Sequence, residues 1–140
     1  MAGDFAAYGH ALVSMVLVAV IAMLLAPMSA LRKSRDGLVA GSLPEPDYAS
    51  ATYRYSRAHL NATENVGVFS TVCVAAILSG AAPFWVNLLA SVYLVSRVIH
   101  VVVHLGGIGK ESFGIRTYAF VFGTMACGLL ALLAIGSVFL

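Results

Sequence analysis

Apolar residues run along this chain in four long segments, separated by short polar or glycine-rich links. The segments extend over about 8–31, 51–79, 84–105 and 113–139. Each exceeds the roughly 20 mainly apolar residues that an α-helix needs to cross a bilayer. The pattern therefore predicts an all-α integral membrane protein, a bundle of four transmembrane helices, with residues 1–140 forming a single domain.

The second segment begins with a polar stripe. At about 3.6 residues per turn, its polar side chains fall within roughly 100° of one helix face. The stripe consists of Arg54, Arg57, Asn61, Glu64 and Asn65. Because residues 66–78 are almost wholly apolar, the stripe is expected at the mouth of a helix that continues into the membrane.

The third segment carries a second polar stripe. Its members share one face within roughly 60° of arc, and they are Tyr93, Arg97, His100 and His104. If the second and third segments form an antiparallel hairpin turning near Gly80, residues at equal depth have numbers that sum to about 161. The two stripes then lie side by side.

This depth matching pairs the stripes residue by residue. Level with one another are Arg57 and His104, Asn61 and His100, and Glu64 and Arg97. Because an ionisable group at the centre of a membrane helix costs about 2.5–3.5 kcal/mol on insertion scales, such groups are usually paired. We therefore predict a structural ion pair between Glu64 and Arg97, deeper in the membrane than the other two pairs.

The shallower polar groups are expected to line one positively charged pocket. They are Arg57, Asn61, His100, His104 and Arg116, with Arg32 and Lys33 nearby. A pocket of this kind suits a small anionic molecule that meets a lipophilic one. The other interpretation is that these side chains only hold the helices together. Spacing favours neither interpretation over the other.

Composition narrows the classes of protein. The chain is 61% hydrophobic and only 10% charged, with a formal net charge of +2, so nucleic acid is not an expected partner. Its two cysteines have no metal-binding spacing, and no metal is expected. All eight Lys and Arg residues lie in two links or in the helix halves that adjoin them. The positive-inside rule therefore predicts that links 32–50 and 106–112 are cytoplasmic and that both termini lie on the opposite side.

Several of these motifs together resemble a known family. The run 57–65 reads Arg-Ala-His-Leu-Asn-Ala-Thr-Glu-Asn, residues 97–100 read Arg-Val-Ile-His, and His104-Leu-Gly follows. Arg116 begins the fourth helix, and Ser-Ala-Leu-Arg-Lys ends the first at 29–33. The chain is similar, over all four helices, to the membrane-associated proteins in eicosanoid and glutathione metabolism, the MAPEG family, and looks most like its microsomal glutathione transferases.

The resemblance implies a homotrimer in the bilayer, with glutathione as co-substrate between neighbouring protomers on the cytoplasmic side. It assigns glutathione binding to Arg32, Arg57, Asn61, Glu64, His100, His104 and Arg116. Arg116 would be the catalytic residue, nearest the sulfur. The implied activity is detoxification, by a transferase or peroxidase acting on lipophilic electrophiles or hydroperoxides. Phe120 stands where the prostaglandin synthase branch has tyrosine, which disfavours that activity.

Two other functions remain open. A non-catalytic member of the family would keep the scaffold as a membrane binding or structural protein. A transporter is a weaker possibility, because four helices leave little room for alternating access unless they oligomerise.

Overall fold

The computed structural model describes residues 5–109 and 114–139. After a 3₁₀ turn, Ala6–Tyr8, the chain forms four helices: α1 Gly9–Arg35, α2 Ala51–Leu78, α3 Pro83–Gly106 and α4 Ile115–Phe139. All four are long and apolar enough to cross a membrane. The prediction of an all-helical bundle with four membrane-crossing helices is therefore confirmed.

The first helix is longer than its sequence pattern suggested. It continues one turn beyond residue 31 to Arg35, so Arg32 and Lys33 lie in its last turn and not in the link. Basic side chains are favoured there because they face the negative end of the helix dipole. The helix ends before Gly37, whose φ of 72° is left-handed. Residues 110–113, which include part of the predicted 106–112 link and the predicted start of the fourth segment, lie outside the described residues.

The α2–α3 hairpin turns where the sequence placed it. Gly80 adopts a left-handed φ of 71°, which glycine tolerates without steric cost, and Pro83 occupies the first turn of α3. The phenol of Tyr93 donates to the backbone oxygen of Asn65 at 3.5 Å, and its ring stacks on Phe69 with centroids 3.9 Å apart. In each contact, the residue of α2 lies within one helical turn of the residue predicted to be at the same depth as Tyr93.

We call the end of the bundle that contains the α2–α3 turn the turn end, and the opposite end the basic end. At the turn end, Tyr8 donates a 2.7 Å hydrogen bond to the backbone oxygen of Ala81. Asn87 accepts from the Ala11 amide at 2.9 Å and donates to the Ala7 oxygen at 2.7 Å. These bonds fix the start of the chain against the hairpin.

Small residues let the helices approach closely. Alanine and cysteine side chains fill much of the buried core around the stacked Phe69 and Tyr93 rings. At Gly123 of α4 an added Cβ would overlap the hydroxyl of Ser96 on α3. Small residues serve this purpose in membrane bundles, where van der Waals packing replaces the hydrophobic effect between helices.

The outer surface of the bundle is apolar. Between 28% and 39% of the most hydrophobic window of each helix is buried inside the chain, so most of these side chains point outward. Examples are Met23, Phe122 and Leu132, each more than 60% exposed. Such a surface is compatible with lipid, or with other copies of the chain, and accounts for the high hydrophobic content.

Candidate functional site

A polar cavity of about 380 Å³ opens at the basic end. Its lining comes from α2, α3, α4 and the link 36–50, and consists of Pro46, Tyr48, Tyr53, Arg57, Asn61, His100, His104 and Arg116. Five of these are the shallow polar residues that the sequence placed together. The structure therefore brings the predicted pocket residues to one place, and it adds three that the sequence analysis did not name.

Helix α2 supplies one wall of the cavity. Tyr53, Arg57 and Asn61 are four residues apart and so lie on one helix face. The helix begins after Ser50, whose side-chain oxygen accepts from the Tyr53 amide at 3.3 Å. The sequence analysis did not name Tyr53 as a pocket residue, although its i, i+4, i+8 spacing with Arg57 and Asn61 indicates the same helix face.

Helix α3 supplies two stacked histidines. The rings of His100 and His104 have centroids 5.6 Å apart, and both side chains are buried. Nδ1 of His100 lies 3.1 Å from the backbone oxygen of Arg116, which joins α3 to the start of α4. Both ring nitrogens of His104 are buried and have no hydrogen-bond partner among the described residues. Buried polar groups without a partner are costly, so the surroundings of His104 are unfavourable within one chain.

The link 36–50 covers the cavity and is held by Arg54. Nη1 of Arg54 donates to the backbone oxygens of Tyr48 at 2.8 Å and Ala49 at 2.7 Å. Its Nε donates to the oxygen of Leu105 at the end of α3, at 3.4 Å. A Cβ on Gly107 would lie only 3.0 Å from this guanidinium, and Gly107 has a left-handed φ of 63°. Arg54 thus ties the link to the end of α3.

Tyr48 is the central side chain of this cover. The Arg116 guanidinium lies 4.4 Å above the Tyr48 ring, and that of Arg54 lies 5.9 Å from it. The ring of His104 meets the Tyr48 ring edge-on, with centroids 5.7 Å apart. The Tyr48 hydroxyl is buried without a partner among the described residues. Tyr48 therefore packs over Arg116 and beside the unpartnered nitrogens of His104.

The charge of the cavity is positive. Arg57 and Arg116 provide two guanidinium groups, and none of the described residues that line the cavity carries a carboxylate. Together with the amide of Asn61 and the imidazoles, they offer many hydrogen-bond donors. The cavity is therefore suited to a small anion with several acceptor groups.

Two basic residues of the first helix lie outside the cavity lining. The Arg32 guanidinium lies 4.9 Å above the ring of Tyr55. Lys33 is buried, and its Nζ donates to the backbone oxygen of Ala40 at 3.2 Å. Within one chain, Lys33 thus supports the link. A contact between Arg32 and glutathione stays a prediction about the assembled protein.

The structure does not bring Glu64 and Arg97 together as the depth matching implied. Arg97 is buried, and it donates to Oδ1 of Asn61 at 3.2 Å and to the hydroxyl of Thr124 at 3.5 Å. Glu64 is exposed. Equal depth fixes the level of two residues but not the direction in which each points around its helix. Asn61, about one turn away, faces α3 instead.

Four helices long and apolar enough to cross a membrane, with a cationic cavity at one end, define a multi-pass integral membrane protein. A model of the MAPEG family matches residues 10–136, and the chain belongs to this family. The family includes glutathione-dependent transferases and peroxidases as well as non-catalytic members. A comparison with curated proteins finds no match.

Proposed function

We propose that this chain is a membrane-embedded glutathione-dependent transferase or peroxidase that acts on lipophilic electrophiles or hydroperoxides. The observation that supports this most strongly is the cavity of about 380 Å³, which gathers Arg57, Asn61, His100, His104 and Arg116 from three helices. Its volume falls within the range of about 300–1,000 Å³ that is typical of small-molecule sites. Glutathione, with two carboxylates, one amino group and a thiol, fits a cavity of positive charge.

Two charged side chains of α2 bind different groups of glutathione. The Arg57 side chain is exposed at the cavity and pairs with a carboxylate. Glu64 is exposed on the same helix and does not line this cavity within one chain; in the assembled trimer it meets the amino group. His104 lines the same cavity, and its ring packs against the bound peptide. A second carboxylate is left for Arg32 of a neighbouring protomer.

Arg116 activates the thiol. A cation beside a thiol lowers the thiol pKa and raises the fraction of thiolate, which is the nucleophile. In conjugation, the thiolate attacks an electrophilic carbon, a carbon–sulfur bond forms, and the leaving group departs with its electron pair. In peroxide reduction, the sulfur attacks the outer oxygen and the oxygen–oxygen bond breaks. An alcohol and a sulfenic acid result, and a second glutathione converts the sulfenic acid to a disulfide and water.

The proposal includes an arrangement in the membrane. Three copies form a trimer, with glutathione between neighbouring protomers. The basic end faces the cytoplasm, because the eight Lys and Arg residues lie in or beside its two links. Glutathione then enters from the cytoplasm, and the lipophilic substrate enters from the bilayer.

Titration calorimetry of the detergent-solubilised protein with glutathione tests the binding site. We expect saturable binding, and Arg57→Ala should weaken it. Absence of binding at millimolar glutathione, with the mass of the assembly intact, would rule out the proposal. The mass of the complex tests the trimer separately.

One observation favours a non-catalytic binding protein as the second candidate. The Tyr48 ring packs on the guanidinium of Arg116 at 4.4 Å, so one face of this cavity-lining group is turned to the ring. The ultraviolet thiolate band of bound glutathione separates the two candidates. An enzyme should show the band and lose it in Arg116→Ala, whereas a binding protein should bind glutathione without showing the band.

A further inference from the structure

Arg54 belongs to the polar stripe of α2, but the proposed glutathione site does not use it. The residue lies about one helical turn before Arg57 and is not among the described residues that line the cavity. Its guanidinium donates to three backbone oxygens, those of Tyr48, Ala49 and Leu105. An arginine with these acceptors holds parts of the chain together, so its role is not direct contact with a ligand.

The segment that Arg54 holds is a turn directly before α2. The amide of Ala49 donates to Oδ1 of Asp47 at 2.9 Å, and the amide of Ser50 donates to the backbone oxygen of Asp47 at 3.1 Å. Aspartate side chains that accept from the backbone two residues on are typical of such turns. The backbone at Tyr48 is therefore held twice, by this turn and by the guanidinium of Arg54.

The side chain of Tyr48 contacts Arg116, the candidate catalytic residue. The Arg116 guanidinium lies 4.4 Å above the Tyr48 ring, and the ring of His104 meets the same ring edge-on, with centroids 5.7 Å apart. Because a guanidinium is attracted to the face of an aromatic ring, this contact limits the directions that the Arg116 side chain can adopt. Arg116 still lines the cavity, so the ring restrains the group without removing it from the site.

The orientation of Arg116 matters because a thiolate is stabilised best by a cation that is already in place. Charged groups stabilise a developing charge most when they are fixed before the reaction and need not reorganise. An arginine side chain has several rotatable bonds, so an unsupported Arg116 would spend part of its time pointing away from the sulfur. A residue that restricts this motion therefore raises the fraction of thiolate without touching it.

From these contacts we infer that Arg54 is a positioning residue for the proposed reaction: it holds Tyr48, and the Tyr48 ring orients the Arg116 guanidinium toward the sulfur of glutathione. The inference rests on the proposed function, because it gives Arg54 a part in the activation of the thiol. Arg54 itself contacts neither glutathione nor the sulfur. The opposing interpretation is that Tyr48 shields Arg116 from the thiol, and it predicts an effect of the opposite sign.

A pH titration of the ultraviolet thiolate band, with saturating glutathione on the detergent-solubilised protein, tests this role. In Arg54→Met the midpoint of the band should move to higher pH by roughly half a unit, which is part of the shift of about 1–3 units that a nearby cation produces. Arg35→Met, which removes an exposed positive charge at the same end, should leave the midpoint unchanged. An unchanged midpoint in Arg54→Met, or a midpoint at lower pH, would overturn the inference.

A double-mutant cycle with Tyr48→Ala tests the route of the effect. Because Arg54 acts through Tyr48, adding Arg54→Met to Tyr48→Ala should move the midpoint no further than Arg35→Met does. Additive shifts of the two substitutions would mean that the charge of Arg54 acts directly on the sulfur, and they would overturn the positioning role.

Arg54→Lys separates the charge of the side chain from its geometry. The lysine keeps the charge but replaces the planar fork of donors by a single ammonium group, so it should recover only part of the shift. If Arg54→Met does not fold, Arg54→Lys in the wild-type and Tyr48→Ala backgrounds decides in the same way. The wild type separates two failures: absence of the thiolate band contradicts the proposed function, whereas a band that is insensitive to Arg54 contradicts only the positioning role.

Discussion

The turn end and the basic end are built from the same four helices, but they satisfy their polar groups differently. At the turn end, Tyr8 and Asn87 each reach a backbone partner of another element at 2.7–2.9 Å. At the basic end, His104 and the hydroxyl of Tyr48 are buried without partners among the described residues. The comparison points to two roles: the turn end joins elements of one chain, whereas the basic end, where these atoms stay unpaired among the described residues, is where we propose that glutathione binds.

Arg116→Ala should have the largest effect, and it should be confined to the basic end. Removing one electrostatic contact to a reacting group typically lowers the rate about 10²–10³-fold. We expect that loss in conjugation or peroxide reduction, together with loss of the thiolate band, while the melting temperature changes little. Arg35→Ala, an exposed residue at the same end, is the control. A rate that survives Arg116→Ala would favour the non-catalytic candidate.

Asn87→Ala should lower the stability of the protein and leave glutathione binding unchanged. The substitution removes two hydrogen bonds between α3 and the start of the chain, which should lower the free energy of unfolding by about 1–3 kcal/mol. Glutathione affinity, measured by calorimetry on the folded protein, should be unchanged. If affinity fell in parallel with stability, the two ends would be coupled and the separation of roles would be wrong.

Gly80→Ala and Gly107→Ala compare the turn end with the basic end at two glycines of similar backbone conformation. Both glycines have a left-handed φ, so each alanine should cost about 1–2 kcal/mol of stability. Nothing lies within 4 Å of a Cβ at Gly80, whereas at Gly107 the Cβ would meet the Arg54 side chain at 3.0 Å. We therefore expect only Gly107→Ala to weaken glutathione binding, by about fivefold if roughly 1 kcal/mol is lost. Equal affinities of the two variants would count against Arg54 as the anchor of the link.

Tyr48→Phe and Tyr48→Ala should have the smallest effects and should separate the ring from the hydroxyl. The contact between the Tyr48 ring and a guanidinium contributes about 0.5–2 kcal/mol. Tyr48→Phe keeps that contact and should change the glutathione affinity little, whereas Tyr48→Ala should change it several-fold. Calorimetry measures both, with Tyr118→Phe on the exposed surface of α4 as control. An equal loss in Tyr48→Phe and Tyr48→Ala would show that the hydroxyl, and not the ring, is the binding group.

The sequence predicted the helices and much of the cavity, because both follow from periodicity. Runs of apolar residues gave the four spans, and the spacing of Arg57, Asn61, His100 and His104 on two neighbouring helices placed them at one level. The contact of Tyr48 with Arg116 could not be predicted in this way. Tyr48 lies in an irregular link, where no repeating geometry relates the position of a residue to the direction of its side chain.

The periodic spacing of residues also could not predict the partner of Arg97, for a different reason. Depth follows from counting residues, but the rotation of each helix is set by packing, such as the close approach of α3 and α4 at Gly123. On α2, Asn61 faces α3 and contacts Arg97, whereas Glu64 is exposed. Within one chain the predicted charged pair is not formed, and Arg97 contacts Asn61, about one turn from Glu64.

The position of Arg97 also bears on how the protein is made. Two of the residues that accept hydrogen bonds from it, Asn61 and Thr124, lie on α2 and α4, so one is synthesised before α3 and the other after it. An arginine at the centre of a lone helix opposes insertion by about 2.5–3.5 kcal/mol. We expect α3 to leave the translocon together with α2, and its arginine to be fully accommodated only when α4 arrives. Truncation of the last helix should therefore leave the third helix poorly inserted, although the deleted residues follow it in the chain.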